Sequence, residues 1–169
     1  QQARVVLSSD ALAHGEVTEI ADGGIYYPNN SDNIKTYKFT GLAPKDGVKL
    51  WDEGEGNLYE LTAKLQIMES EAGKEPDGSK AVDDECTVSF GVRSFGDDGR
   101  GRLALNGRTI FLRSEANCAE YPETGHSPMT VDEWREILRR YRSYGINCVR
   151  FHSHCEPEAA FTAADELGM

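Results

Sequence analysis

Apolar and polar positions alternate with a period near two along the first hundred residues, and with a period near 3.6 in the helical stretches beyond them. Five runs read as short alternating or β-rich strands: RVVLSS (4–9), GEVTEIA (15–21), KTYKFTG (35–41), NLYELTAKLQIME (57–69) and ECTVSFGVRSF (85–95). The stretches between them, ADGG, YPNNSDN, APKDG, GKEPDGSK and GDDGRG, supply the Gly, Pro, Asn and Asp that turns need. In the fourth run Tyr59, Leu61, Ala63, Leu65 and Ile67 share one side and are expected to face the core, opposite Leu58, Glu60, Thr62, Lys64 and Gln66. Strands at this spacing predict an antiparallel β-sandwich over residues 1–102. The acidic stretch 73–84 reads as an exposed hairpin connection, and no internal repeat is present.

After residue 103 the pattern changes. TIFLRS (109–114) predicts a strand after the tight turn Leu105-Asn106-Gly107, followed by a loop over 115–129 rich in Pro, Gly and Ser. Thr130 and Glu133 have the spacing of a capping box. Trp134, Ile137, Leu138 and Tyr141 then recur at i, i+3, i+4 and i+7 as one apolar helix face, and Gly145 supplies the stop. INCVRFH (146–152) is the next strand, and Pro157, Ala159, Ala160, Phe161 and Ala164 open a second helix. Strand, helix, strand, helix predicts parallel β/α units, so residues 103–169 are expected to form a second domain. That domain is too short for an eight-fold barrel of about 250 residues. It stops where a third strand is expected, and the chain reads as a truncated piece of a larger protein.

Composition narrows the partners. At 38% hydrophobic and 28% charged residues the chain is an ordinary soluble globular sequence. No apolar run approaches the roughly 18–20 residues of a membrane helix, and QQARVVLSSD lacks a signal segment, which was removed or never existed. The net charge of −11, from 29 acidic against 18 basic residues, argues against a nucleic-acid partner. Arg135, Arg139, Arg140 and Arg142 read as a solvated helix face. The four cysteines lack Cys-x-x-Cys spacing; they read as separate thiols, with Cys86 and Cys148 buried, while a Cys118–Cys155 bridge requires their strands to be neighbours. The compartment stays open, a periplasmic or extracellular one being favoured over the cytoplasm.

The order of several short motifs resembles glycoside hydrolase family 2, which includes β-galactosidases, β-glucuronidases and β-mannosidases. Trp51 followed by Leu58-Tyr59 resembles the family's Trp-x-Pro-x-x-Pro-x-Leu-Tyr segment, with Glu53 and Gly56 at the proline positions. Phe90-Gly91-Val92-Arg93 resembles the Phe-Gly-x-Arg end of its immunoglobulin-like domain. The run from Leu105 to Arg113 resembles the entry to its catalytic barrel, and Trp134 to Gly145 with Asn147-Cys148-Val149-Arg150 resembles the first barrel helix and second strand. The resemblance implies a mainly β chain: an immunoglobulin-like β-sandwich followed by the first two β/α units of a truncated TIM (β/α)8 barrel. It implies a parent enzyme that hydrolyses β-glycosides with retention, using two glutamates with carboxyl groups roughly 5–5.5 Å apart. In the family these lie at the ends of the fourth and seventh barrel strands. No catalytic residue is therefore expected here, the chain alone should be inactive, and no cofactor is implied. Two motifs depart from the pattern. Where the family has Arg-Gly-x-Asn-x-His, residues 113–118 keep the Arg, move the Asn to Asn117 and end in Cys118. Where it has Arg-x-Ser-His, residues 150–153 exchange the last two. The sugar is left unassigned.

Arg150, His152 and His154 alternate with Val149 and Phe151, so a strand running through them would put all three polar groups on one side. In a barrel that side points inward near the C-terminal rim. Arg150, His152, His154 and, in the preceding loop, Asn117 are the candidate substrate-binding residues for a carbohydrate; the structural alternative is an ion pair for Arg150 and a rim hydrogen bond for His152. His152 and His154 could alternatively begin a metal-hydrolase site with Cys155 as a soft ligand, but His14 and His126 are not placed nearby and no metal site is assigned. Glu156 and Glu158 read as first-turn acids facing solvent. An incomplete barrel leaves its edges unsatisfied, which predicts self-association or packing on another chain. A non-catalytic carbohydrate-binding or interaction module is the alternative from another class.

Overall fold

A computed structural model describes residues 2–14, 16–22, 39, 42–68 and 84–169. The strand predicted at 35–41 and all but the last residue of the connection at 73–84 lie outside the described residues, residue 39 apart. Strands β1 (Gln2–Ser8), β2 (Glu16–Asp22), β3 (Leu58–Met68), β4 (Asp84–Gly91), β5 (Phe95–Asp97), β6 (Leu103–Leu105), β7 (Arg108–Thr109) and β8 (Ser114–Asn117) precede helix α1 (Val131–Ser143), strand β9 (Cys148–Phe151) and helix α2 (Glu158–Leu167). The described chain is mainly strand. It divides into two compact units, residues 1–48 with 59–90, and residues 49–58 with 91–169.

The first unit is a sheet of order β2-β1-β3-β4. β1 is antiparallel to both neighbours, with Val5 opposite Glu19 on one side and Leu65 on the other. Its β-branched Val5 and Val6 suit a central strand, and Val6 and Ala11 are buried. Thr62 and Thr87 share a hydroxyl hydrogen bond of 3.0 Å, and Lys64 pairs with Glu85 at 3.3 Å. The expected one-sided burial of β3 is not found. Tyr59, Leu61, Ala63 and Leu65 are half-buried, and so are Thr62, Lys64 and Gln66. Cys86, expected inside, is exposed, because β4 is open to solvent along its first six residues.

In the second unit β5, β6 and β7 form a meander. Asn106 (φ 52°) and Gly107 (φ 76°) are both left-handed, the geometry a two-residue hairpin turn needs, and they join β6 to β7 where the sequence predicted a tight turn. The strand predicted at 109–114 instead forms at 114–117. Residues before it are held irregularly: the Asn147 side chain accepts from the Arg113 amide at 2.8 Å, and the Arg113 carbonyl accepts from the Asn147 amide at 3.1 Å. β8 and β9 pair in parallel, Ala116 opposite Arg150 and Asn117 opposite Phe151, with α1 as the crossover. This is the predicted β/α grammar.

The apolar face of α1 closes on β9 and α2. Trp134 and Leu138 are buried with Ala160 and Ala163, and Tyr121, Ile137, Tyr141, Val149, Phe151 and Leu167 pack against them. The rings meet edge to face, Trp134 to Phe151 at 5.8 Å and Trp134 to Tyr121 at 6.5 Å. Thr130 and Glu133 form the capping box in full. Of the arginines predicted to be solvated, Arg135 instead grips Glu166 through Nε (2.5 Å) and Nη2 (2.9 Å), and Arg142 donates to the Leu167 carbonyl at 2.9 Å. The bond from Arg142 serves the end of α2, where the Leu167 carbonyl has no partner within the helix.

The segment 49–58 belongs to this second unit, so the compact units do not part at the boundary of 102 and 103 expected from the sequence. Trp51, read there as a sandwich corner, is 6% exposed, and its indole N–H donates to the Asp165 carbonyl at 2.7 Å. Gly56 is required for the approach: a Cβ there would stand 2.1 Å from the Glu166 carbonyl oxygen. Neither contact has a local sequence signal, since 114 residues separate Trp51 from Asp165.

Leu138→Ala is expected to destabilise the chain by about 2–5 kcal/mol, since it opens a cavity among fixed neighbours. Met129→Ala, at a position 64% exposed, should stay within about 0.5 kcal/mol. Gly56→Ala should cost as much as a core deletion without removing any apolar surface. Denaturant titration of the three variants against the parent chain measures each.

Candidate functional site

A parallel pair with its crossover helix on one side has two unlike faces. Asn117, Val149 and Phe151 lie on the side packed by the helices, and Asn117 is 9% exposed. Ala116, Cys118, Arg150 and His152 lie on the other side and are exposed. Alternation along β9 therefore joins Arg150 and His152 on one open face at the C-terminal end of the parallel pair, the end where β/α folds place their sites. Cys118 is there too, its Sγ 3.7 Å from His152 Nδ1. The sequence offered one clue to it, the cysteine standing where the resembling family has histidine.

Asn117 and His154 are not on that face. The backbone beyond each strand turns through a left-handed residue, Ala119 (φ 58°) after β8 and Ser153 (φ 63°) after β9. Left-handed backbone at a residue with a Cβ costs about 1–3 kcal/mol and persists only where its surroundings impose it. The turn at Ser153 breaks the two-residue alternation, and the His154 ring comes back over Phe151, 5.9 Å between centroids. The expectation that His152 and His154 face one pocket is thereby corrected. Their rings diverge, so they do not form a metal clamp, and among the described residues no three His, Cys, Asp or Glu side chains converge as ligands. Asn117 points to the helix side, where its Oδ1 accepts from the Ala119 amide at 2.9 Å; its carbonyl accepts from the His152 amide at 2.8 Å and extends the β8–β9 ladder.

Behind the open face stands a group the sequence reading assigned to solvent. Glu156 precedes α2 by two residues and is 5% exposed. Its Oε1 accepts from the Tyr121 hydroxyl at 2.6 Å and contacts His154 Nε2 at 2.7 Å, and its Oε2 accepts from the Ser127 hydroxyl. Burial pushes the Glu156 carboxyl up, but these three partners outweigh it and hold the group below its ordinary value. Burial, reinforced by Glu156, raises Tyr121. His154 is raised by its contact with the His152 carbonyl first and by Glu156 second. Nothing in the local spacing signals this, because Tyr121 and Ser127 lie 35 and 29 residues away.

The cysteines are all free. Cys118 faces His152, whereas Cys155, beyond the left-handed Ser153, directs its thiol at the Glu156 carbonyl, 3.6 Å away; the two do not bridge. Cys148, expected buried, is half-exposed. At the opposite, N-terminal end of the strands, Glu53 accepts from Arg113 Nη2 at 2.8 Å and from Asn147 Nδ2 at 2.9 Å, bonds that hold its carboxyl below the ordinary value against its partial burial. Arg113 also donates to the Gly145 and Phe111 carbonyls. This second network ties the chain entering β8 to the chain entering β9, a structural duty. The larger recesses lie elsewhere: one of about 530 Å³ in the first unit is lined by Ser8, Asp10, His14, Lys45 and Glu60.

No family model matches the chain. A β-galactosidase of Thermoanaerobacterium thermosulfurigenes is 32% identical over 143 residues, which cover 82% of this chain and 18% of that protein. Among solved structures, a glycosyl hydrolase family 2 member from Bacteroides cellulosilyticus matches 100% of this chain and 20% of its own with a TM-score of 0.71 at 17% identity. The β-glucuronidase of Parabacteroides merdae matches 100% of this chain and 19% of its own, with a TM-score of 0.61 at 19% identity. The chain thus spans about a fifth of the length of the proteins it matches. It is a relative of glycoside hydrolase family 2.

Proposed function

We propose that this chain is the junction of an immunoglobulin-like sandwich and a (β/α)8 barrel in a retaining β-glycosidase, and that Arg150 and His152 line its sugar pocket. The observation that carries the reading is the open polar face at the C-terminal ends of β8 and β9, in a relative of glycoside hydrolase family 2. The Arg150 side chain has no hydrogen bond or ion pair among the described residues, and its guanidinium is available to the hydroxyl and ring oxygens of a sugar. Next to it His152 offers an imidazole as donor or acceptor. Asn117 and His154 support that face from behind. Hydrolysis with retention needs two carboxylates roughly 5–5.5 Å apart. Glu156 is the one buried carboxylate among the described residues, and it is committed to three protein partners, so the reading assigns both catalytic carboxylates to residues outside these 169.

A second reading, a non-catalytic sugar-binding module, draws on the polar recess of the first unit, whose Ser, Asp, Lys and Glu lining suits hydroxyl groups. Chemical-shift mapping with a β-glycoside separates the two: shifts at Arg150 and His152 support the pocket, and shifts at Ser8, Asp10 and Lys45 support the module.

The 169-residue chain is expected to show no turnover of an aryl β-glycoside. In a catalytically complete protein containing it, Arg150→Ala and His152→Ala should each lower kcat/KM by about ten- to a hundred-fold, the effect of removing a hydrogen bond of ~1.5–3 kcal/mol to a charged or buried partner. Turnover by the isolated chain, or unchanged kcat/KM in both variants, overturns the reading.

A further inference from the structure

Glu156 is buried where a carboxylate is costly, and the proposed pocket makes no direct use of it. Its bonds reach one segment besides its own, through Tyr121 and Ser127 in the connection between β8 and α1, and meet His154 within its own connection between β9 and α2. His154 carries the chain one step further. Its Nδ1 lies 2.9 Å from the His152 carbonyl oxygen and its Nε2 lies 2.7 Å from Glu156 Oε1. Beside a carboxylate that is ionised, both of these partners are acceptors. A neutral imidazole has one N–H and would set a lone pair against one of them, whereas an imidazolium donates to both. An ionised Glu156 then accepts from Tyr121, Ser127 and His154, so every proton has one donor and one acceptor.

We propose that Glu156 is a positioning residue for the open face of β8 and β9: through His154 it holds the backbone of His152, and through Tyr121 and Ser127 it holds the connection 118–129 that carries Cys118. Only the naming of that face as a sugar pocket rests on the function proposed above. The positioning stands on contacts within the protein. The ionisable groups bearing on the pair are Tyr121 and the two partners themselves. Of the surrounding elements, β8 contributes the Asn117 amide, β9 the Phe151 ring, and the connection to α2 the Cys155 thiol on the Glu156 carbonyl.

The pH dependence follows from the two directions. Glu156 is held below its ordinary value of 4.5, so its contribution is present above that value and lost as pH falls through the lower folded one. His154 is held above its ordinary value of 6.5, so its contribution is complete below that value and lost as pH rises through the higher folded one. The pin is therefore complete between the ordinary values of 4.5 and 6.5.

The test uses the 169-residue chain without any sugar, so a failure of the glycosidase reading leaves its outcome intact. Histidine ring nitrogens are followed by NMR across pH, together with amide exchange of residues 118–129. In the parent chain His154 should titrate above 6.5 and carry protons on both nitrogens at pH 6. Glu156→Gln should lower that titration and speed amide exchange of 118–129 by about tenfold, the effect of one lost charge-assisted hydrogen bond. Tyr121→Phe keeps the charge pair and removes one donor; it should speed exchange in 118–129 while His154 still titrates above its ordinary value, and it decides the matter if Glu156→Gln fails to fold. A neutral His154 at pH 6 in the parent chain, or exchange in 118–129 unchanged in both variants, overturns the proposal.

Discussion

The side of the β8–β9 pair that faces solvent is decided by the indole of Trp134. Fully enclosed, it meets Phe151 and Tyr121 edge to face and draws α1, β9 and the connection before α1 onto one side of the strands. Because the side chains of a strand alternate, fixing Val149 and Phe151 against Trp134 leaves Arg150 and His152 no choice but the opposite side. The polar face is thus a consequence of apolar packing. A helix face of Trp134, Ile137, Leu138 and Tyr141 positions an arginine and a histidine that it never touches.

At the C-terminal ends of the strands that alternation stops, and chemistry is divided between two sides. Ala119 and Ser153 adopt left-handed backbone within two residues of the strand ends, and each turn sends the following chain back toward the helices. The result is a polar network in which half-buried Tyr121, Ser127 and His154 surround the buried Glu156 and Asn117, directly behind an exposed set of Cys118, Arg150 and His152. A satisfied buried network is rigid, because loss of any one partner leaves another unpaired in a low dielectric. Backbone strain in the connections and a buried carboxylate therefore occur together, at the end of the strands where such folds carry function.

The N-terminal end of the same strands is organised differently. Glu53, Arg113 and Asn147 bind one another and nearby backbone carbonyls, while Trp51 and Gly56 rest on the last carbonyls of α2. These contacts hold the segment 49–58 within the second unit. They explain why the compact units part elsewhere than at the change of periodicity.

Local pattern alone determined both helices and the capping box of α1, the tight turn at Asn106-Gly107, the parallel strand–helix–strand order and the packing of Val149 and Phe151 against the helices. Each of these depends on spacing within about ten residues, which backbone geometry converts directly into a face or a turn. Tertiary structure decided the rest. It moved the strand predicted at 109–114 to 114–117, turned Asn117 and His154 away from Arg150 and His152, exposed Cys86 and enclosed Glu156. The shifted strand and the enclosed Glu156 rest on partners 29 to 94 residues away, and the turned His154 rests on a left-handed residue that is not glycine. An acid next to a helix start reads as solvated until Tyr121, Ser127 and His154 are brought around it, and only the packing of Trp134 brings them there.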